Sequence, residues 1–220
     1  TGKERTYSTS MKHPTFSYER TLWTQGTLCV AGVDEVGCGA WAGPVYAAAV
    51  ILIPGKRLPQ INDSKQLSPV LRTRLAKIIK EKSLAWSIGT ASVEEIAALN
   101  IRQAAAMATQ RAIVGLKTVP EWILSDAFPI AGPIPCTPII HGDTLCKSIA
   151  AASIIAKVAR DTHMKELDGI ITGYAFAEHK GYGTKGHQEA LQRLGPSPIH
   201  RMTYEPIKKL LNTKNLDIIT

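Results

Sequence analysis

Four carboxylates stand at or just past the ends of short apolar runs. Leu28 to Val36 carries Asp34 and Glu35, Trp122-Ile123-Leu124-Ser125 runs straight into Asp126, and Thr137 to His141 runs into Gly142-Asp143. Open α/β sheets commonly place their ligand sites at strand ends. Carboxylates repel one another, so a chain gathers them mainly to hold hard divalent cations such as Mg²⁺ or Mn²⁺. Two such ions ~3.5–4 Å apart polarise a phosphate, generate the attacking hydroxide and stabilise the leaving oxygen. The chemistry expected is phosphodiester hydrolysis at a two-metal site in which Asp34, Glu35, Asp126 and Asp143 are both ligands and catalytic groups.

Each acid also has an ordinary structural use. Neighbours on a regular strand point to opposite faces, so Asp34 and Glu35 share a site only where the strand twists or ends, as Gly37 and Gly39 suggest. Asp126 suits a turn, and Asp143 suits a helix N-cap or the position before it. Four acids on three strand ends in a basic chain outweigh these uses taken singly. Asp161, with Lys157 four residues before it and Lys165 four after, reads instead as a member of surface ion pairs on a helix.

The elements that must position the acids follow from periodicity. Strands are expected over Leu28 to Val36, over the apolar run Val45 to Ile53, which should be buried on both faces, and over Leu84 to Ala91. Ser68-Pro69 opens a helix whose Val70, Leu71, Leu75, Ile78 and Ile79 recur at helical spacing. Ser92-Val93-Glu94-Glu95 has the pattern of a capping box. Helices are also expected over Ile101 to Leu116, Cys146 to Leu167, His187 to Leu194 and Glu205 to Leu211. Early strands with short links imply an antiparallel part of a sheet, and later strand–helix alternation implies a parallel part. The reading is one α/β domain over 15–220, its helical C-terminal portion from about 168, preceded by a loose arm or foreign leader over 1–14.

Composition narrows the partners. The 220 residues carry a formal charge of +8, and from Lys56 to Lys82 eight basic residues face two acidic ones, a net +6. Such a stretch is either a solvated helix face or a surface for phosphate backbones. No apolar run approaches the ~18 residues of a membrane span, and the polar N-terminus has no apolar core of a secretory signal. Cys29, Cys38, Cys136 and Cys146 form no C-x-x-C pair, so neither zinc nor a disulfide framework is indicated, and a cytoplasmic setting is expected. Gly37-x-Gly39-x-x-Ala42 loosely matches a dinucleotide fingerprint, but Gly43-Pro44 and a strand follow where a helix is required. These glycines better suit close approach of the backbone to a sugar-phosphate. No P-loop is present.

Together the motifs resemble ribonuclease HII, the bacterial type 2 ribonuclease H, from about Leu28 to Lys208. They are Ala31-Gly32-Val33-Asp34-Glu35-Val36-Gly37, Asn62-Asp63-Ser64-Lys65-Gln66-Leu67-Ser68, Gly142-Asp143 with the run Ser148 to Asp161, and His179-Lys180-Gly181-Tyr182-Gly183-Thr184. The resemblance implies an RNase H-like fold with a mixed β-sheet flanked by helices. It implies an endonuclease that hydrolyses the RNA strand of RNA–DNA hybrids and nicks 5′ of single ribonucleotides in duplex DNA, using Mg²⁺ or Mn²⁺ and leaving 3′-hydroxyl and 5′-phosphate ends. The matching metal-binding acids are Asp34, Glu35, Asp126 and Asp143. Tyr182 matches a tyrosine that stacks on a deoxyribose, and Lys65 a lysine near the phosphate backbone. The family's Gly-Arg-Gly is Gly37-Cys38-Gly39 here, which keeps a backbone reading of the 2′-hydroxyl and loses a side-chain cation. Its Asp-Gly is Asp126-Ala127, a change that bears on the local turn. A monomer is expected, and contact with a sliding clamp is left open. Rival readings are another RNase H-like DNA nuclease, or a nucleic-acid-binding protein with impaired catalysis.

Overall fold

A computed structural model describes residues 13–59, 61, 64 and 67–216, with side chains as far as residue 211. Helix α1 (Ser17–Thr24) leads into β1 (Val30–Val36) and β2 (Val45–Leu52). Next come α2 (Pro69–Lys82), β3 (Ser83–Ala91), α3 (Val93–Leu99), α4 (Ile101–Val114), β4 (Trp122–Asp126) and β5 (Cys136–Ile139). The C-terminal part holds α5 (Gly142–Leu145), α6 (Lys147–Ile170), α7 (Phe176–His179), α8 (Lys185–Leu194) and α9 (Glu205–Leu216). The sheet order is β3-β2-β1-β4-β5. β1 and β3 run antiparallel to β2, while β4 is parallel to both β1 and β5. The mixed sheet expected from the early and late connections is therefore present. The expected arm lies almost wholly outside the described residues.

β2 is apolar throughout because both its faces are covered. Ala47, Ala49 and Ile51 pack with Ala104, Ala108 and Ala112 of α4, and Ala48, Val50 and Leu52 pack with the α6 run Ala150 to Ala156. The small residues of α6 let it lie directly on the sheet. At Gly32 a Cβ would fall 2.1 Å from the Ser148 carbonyl carbon, so only glycine permits this approach. The Ser68 cap and the Ser92–Glu95 capping box form as expected.

Helix α1 has no counterpart in the sequence reading, and it matters to α6. Its Glu19 is fully buried, and Oε1 accepts the Ser148 amide at 2.7 Å and the Cys146 thiol at 3.3 Å. A carboxylate thus caps the first turn of α6 from another helix, where the helix dipole favours negative charge. Glu19→Ala would strand a buried amide, and urea titration should show a loss of about 2–3 kcal/mol. Glu19→Gln keeps an acceptor and should lose less.

Candidate active site

The ladder from β1 to β4 ends at the pair Val33↔Ser125, although β1 continues to Val36. Beyond that pair one edge of β1 is open, and Asp34 and Glu35 stand at this notch. Both side chains can therefore border the same opening although they leave the strand on opposite sides. Asp34 faces α6 and hydrogen-bonds Ser153, while Glu35 lies toward the α4 side, its Oε1 3.9 Å from the Cys38 sulfur. Asp126 closes β4, and its Oδ1 accepts the Gly142 amide at 2.7 Å, which draws α5 and Asp143 to the same strand ends. Asp143 is buried on the second residue of α5, whose N-cap is His141, so it is neither the cap nor the residue before it.

Electrostatics record the convergence. Asp34 is 8% exposed, and its carboxyl is held well above the usual range, first by burial and then by repulsion from Glu35, Asp126 and Asp143. The repulsive part of this shift is the part that a cation shared among the acids would relieve. The donor set of four carboxylates suits a hard divalent ion. Among the described residues no three acidic, thiol or imidazole groups are arranged, as they stand, to hold a metal ion. Ala127, next to Asp126, takes φ +58, so the turn keeps the left-handed form natural to glycine at a strain of about 1–2 kcal/mol. The acids Asp34, Glu35 and Asp126 open onto a cleft of about 690 Å³, walled by Ile101 and Arg102 of α4 and by the exposed Phe128.

One turn follows the notch along the chain, and a second is docked on it. In the first, Gly37 has φ +99, and a Cβ there would collide with the Arg160 side chain at 2.2 Å. Cys38 has its thiol pushed up to about 12, mainly by burial and next by Glu35, so it is a neutral thiol and no nucleophile. In the second, the Tyr182 ring lies 5.4 Å from the Arg160 guanidinium carbon and 5.6 Å from Lys157 Nζ. The turns are docked together. The Trp41 amide donates to the Gly181 carbonyl at 2.7 Å, and Arg160 donates to the carbonyls of Ala42, Pro44 and Lys180.

Beneath Tyr182 lies a chain of imidazoles that the sequence reading missed. The Ser197 amide donates to His200 Nδ1 at 2.7 Å, which leaves His200 Nε2 to donate to His187 Nε2 at 3.0 Å. His187 Nδ1 then donates to the Tyr182 carbonyl at 3.0 Å. Both rings are fully buried, and burial pushes each down to about 4.

One basic residue of the 56–82 stretch lies inside the fold, the ion pair of Asp161 is deeper than expected, and Lys65 is not addressed. Arg72 is buried rather than offered to phosphates, because its guanidinium holds the Ser64 and Leu67 carbonyls and Asp161 at 3.2 Å. Asp161 does pair with Lys157 four residues before it, at 2.8 Å, but the pair is partly buried and shared with Arg72 rather than lying on the open surface. Arg74 and Lys77 are exposed. Lys65 lies outside the described residues.

Known proteins agree with this frame. The family model for ribonuclease HII matches residues 31–207. The ribonuclease HII of Moorella thermoacetica is 50% identical over 191 residues, covering 86% of this chain and 93% of that protein. That of Caulobacter vibrioides is 51% identical over 187 residues, covering 84% and 89%. The crystal structure of ribonuclease H2 from Pyrococcus horikoshii superposes with a TM-score of 0.69 at 24% identity, covering 84% of this chain and 98% of that one. Among the described residues no helix is long and apolar enough to cross a membrane. With strand-end acids, a mixed sheet and relatives at half identity over nearly their whole length, the chain belongs to the ribonuclease HII family and is an endoribonuclease.

Proposed function

We propose that this enzyme cuts the RNA strand of RNA–DNA hybrids and nicks on the 5′ side of single ribonucleotides embedded in duplex DNA. In this reading Asp34, Glu35, Asp126 and Asp143 hold two Mg²⁺ or Mn²⁺ ions. The observation that carries it is the buried Asp34 carboxyl, repelled by three further acids at an open strand edge. The ions when bound supply an activated water and charge stabilisation at the phosphate. The protein's part is to hold the ligands: Ser153 orients Asp34, and the Gly142 amide orients Asp126. The turn Gly37–Gly39 reads the 2′-hydroxyl through its backbone, and Tyr182 stacks on the adjoining sugar. Lys65 and the exposed Arg74 and Lys77 meet the phosphate backbone.

Gly39 supports the reading of the turn. It is exposed, its φ is not positive, and a Cβ there would meet nothing within 4 Å. Neither strain nor packing within the chain calls for glycine, so its use is to admit something from outside. Gly39→Ala should keep or slightly raise stability. It should lower kcat/KM on a duplex with one ribonucleotide about 10-fold or more by displacing the substrate. Unchanged kinetics would remove the turn from the contact surface.

The direct test compares three substrates with Mg²⁺ and with Mn²⁺: a DNA duplex with one ribonucleotide, its all-DNA twin and a long RNA–DNA hybrid. Nicking 5′ of the ribonucleotide to a 3′-hydroxyl end, cleavage of the hybrid and an intact all-DNA duplex are expected. Equal cleavage of the all-DNA duplex would sink the proposal.

A further inference from the structure

Beneath the turn at 37–39 lie two arginines, Arg160 with no exposed surface and Arg201 with 1%. Among the described residues neither is bonded to a carboxylate. Burying such cations is costly, and apolar side chains of similar volume can often replace buried charges without loss of stability. Arg201 even leaves Nη2 buried without a hydrogen-bond partner. What an apolar side chain cannot do is orient carbonyls.

Every hydrogen bond made by the Arg201 side chain serves that end. Nε donates to the Gly43 carbonyl at 3.0 Å, and Nη1 donates to the Cys38 carbonyl at 3.0 Å and to the Tyr204 hydroxyl at 2.8 Å. The Tyr204 hydroxyl donates in turn to the same Cys38 carbonyl at 2.7 Å. The Arg201 backbone amide holds the Trp41 carbonyl at 2.8 Å, and the Ala40 amide closes the turn on the Gly37 carbonyl at 3.2 Å. A trans peptide is planar, with C=O and N–H pointing in opposite directions. Two donors holding the Cys38 carbonyl inward therefore turn the Gly39 amide outward, on the side where the exposed Gly39 leaves open space.

We propose that Arg201 is a positioning residue for ribonucleotide discrimination, acting through the Cys38–Gly39 peptide and not on the substrate itself. The proposal rests on the reading of the turn at 37–39 as the element that senses the 2′-hydroxyl. It accounts for the tolerance of cysteine at position 38: the amide is aimed from below by Arg201 and Tyr204, whichever side chain the residue above carries.

Discrimination is measured as the ratio of dissociation constants for an all-DNA duplex and its twin with one ribonucleotide, with Ca²⁺ replacing Mg²⁺ to suppress cleavage. Arg201→Lys keeps the charge but offers one nitrogen where a planar fork spans two carbonyls. It should reduce the preference about 10-fold by weakening the ribonucleotide duplex alone, with all-DNA binding unchanged. Tyr204→Phe removes the second donor to Cys38 and should reduce the preference about 3-fold, and it serves as the deciding variant if Arg201→Lys does not fold. Full preference in a folded Arg201→Lys, or equal weakening of both duplexes, overturns the proposal. So does full preference in Tyr204→Phe where Arg201→Lys is unfolded. A wild-type protein with no preference overturns the reading of the turn itself, and the role of Arg201 with it.

Discussion

Asp34→Asn should cost about 10³-fold or more in kcat, equivalent to roughly 4 kcal/mol of lost transition-state stabilisation, and yet give a more stable protein in EDTA at neutral pH. The two effects share one cause. The Asp34 carboxyl sits above the usual range because it is buried and because Glu35, Asp126 and Asp143 repel its charge. The folded chain therefore binds more protons than the unfolded one above the unfolded pKa near 3.8, and stability from this group falls as pH rises. Asparagine keeps the shape, can still hydrogen-bond Ser153 and carries no charge, so the fall should vanish. Mg²⁺ should raise the melting temperature of the wild-type protein and do so much less for the variant. A variant that cleaves at the wild-type rate, or that melts lower in EDTA at pH 7, contradicts this account of the notch.

Acid should loosen the C-terminal layer well before it unfolds the sheet. His187 and His200 are neutral donors and acceptors in one chain, and each is pushed down to about 4, mainly by burial. Between their ordinary value of 6.5 and about 4, the unfolded chain takes up protons that the folded chain refuses. The stability they confer is thus complete at and above pH 6.5 and is lost as pH falls through about 4. Taking the two hydrogen-bonded rings as one coupled step of proton uptake, the loss is on the order of 3 kcal/mol. Trp41, 5.8 Å from the His187 ring, offers a local readout, because a protonated imidazole quenches indole emission. Asp34 shifts stability the opposite way over part of this range, so the comparison is between wild type and His200→Asn. The variant should show a shallower pH dependence, and parallel curves would show that the chain is not held neutral.

The acids were legible in the sequence because local signals carry them. Strand-forming runs that stop at Asp126 and at Gly142-Asp143 need no knowledge of the tertiary fold. The open edge of β1 was not legible, since it depends on β4 stopping one residue past its ladder with β1. The burial of Arg72 was hidden because it belongs to a run of positive charge. Its better signal is spacing: with Leu75, Ala76 and Ile79 it makes the buried face of α2, and a cation on that stripe must bond inward. Arg160 sits likewise between Ala156 and Met164 on the buried face of α6. Arg201 and His200 have no such periodicity to betray them. Their roles exist only where the carbonyls of a turn near residue 40 come to lie against them.

That separation along the chain sets an order of assembly. The donors to the Cys38 carbonyl come from residues 163 and 166 positions later. Strands β1 to β3 can pair as soon as the first ninety or so residues have emerged from a ribosome, and the last acid, Asp143, follows about fifty residues on. The turn at 37–39 has its carbonyl held only after Tyr204 has joined the fold. A chain interrupted between Asp143 and Arg201 would own every acid of the notch without the part that aims the Gly39 amide. Arrival of the segment that holds Arg201 and Tyr204 is therefore also the step that sets this turn.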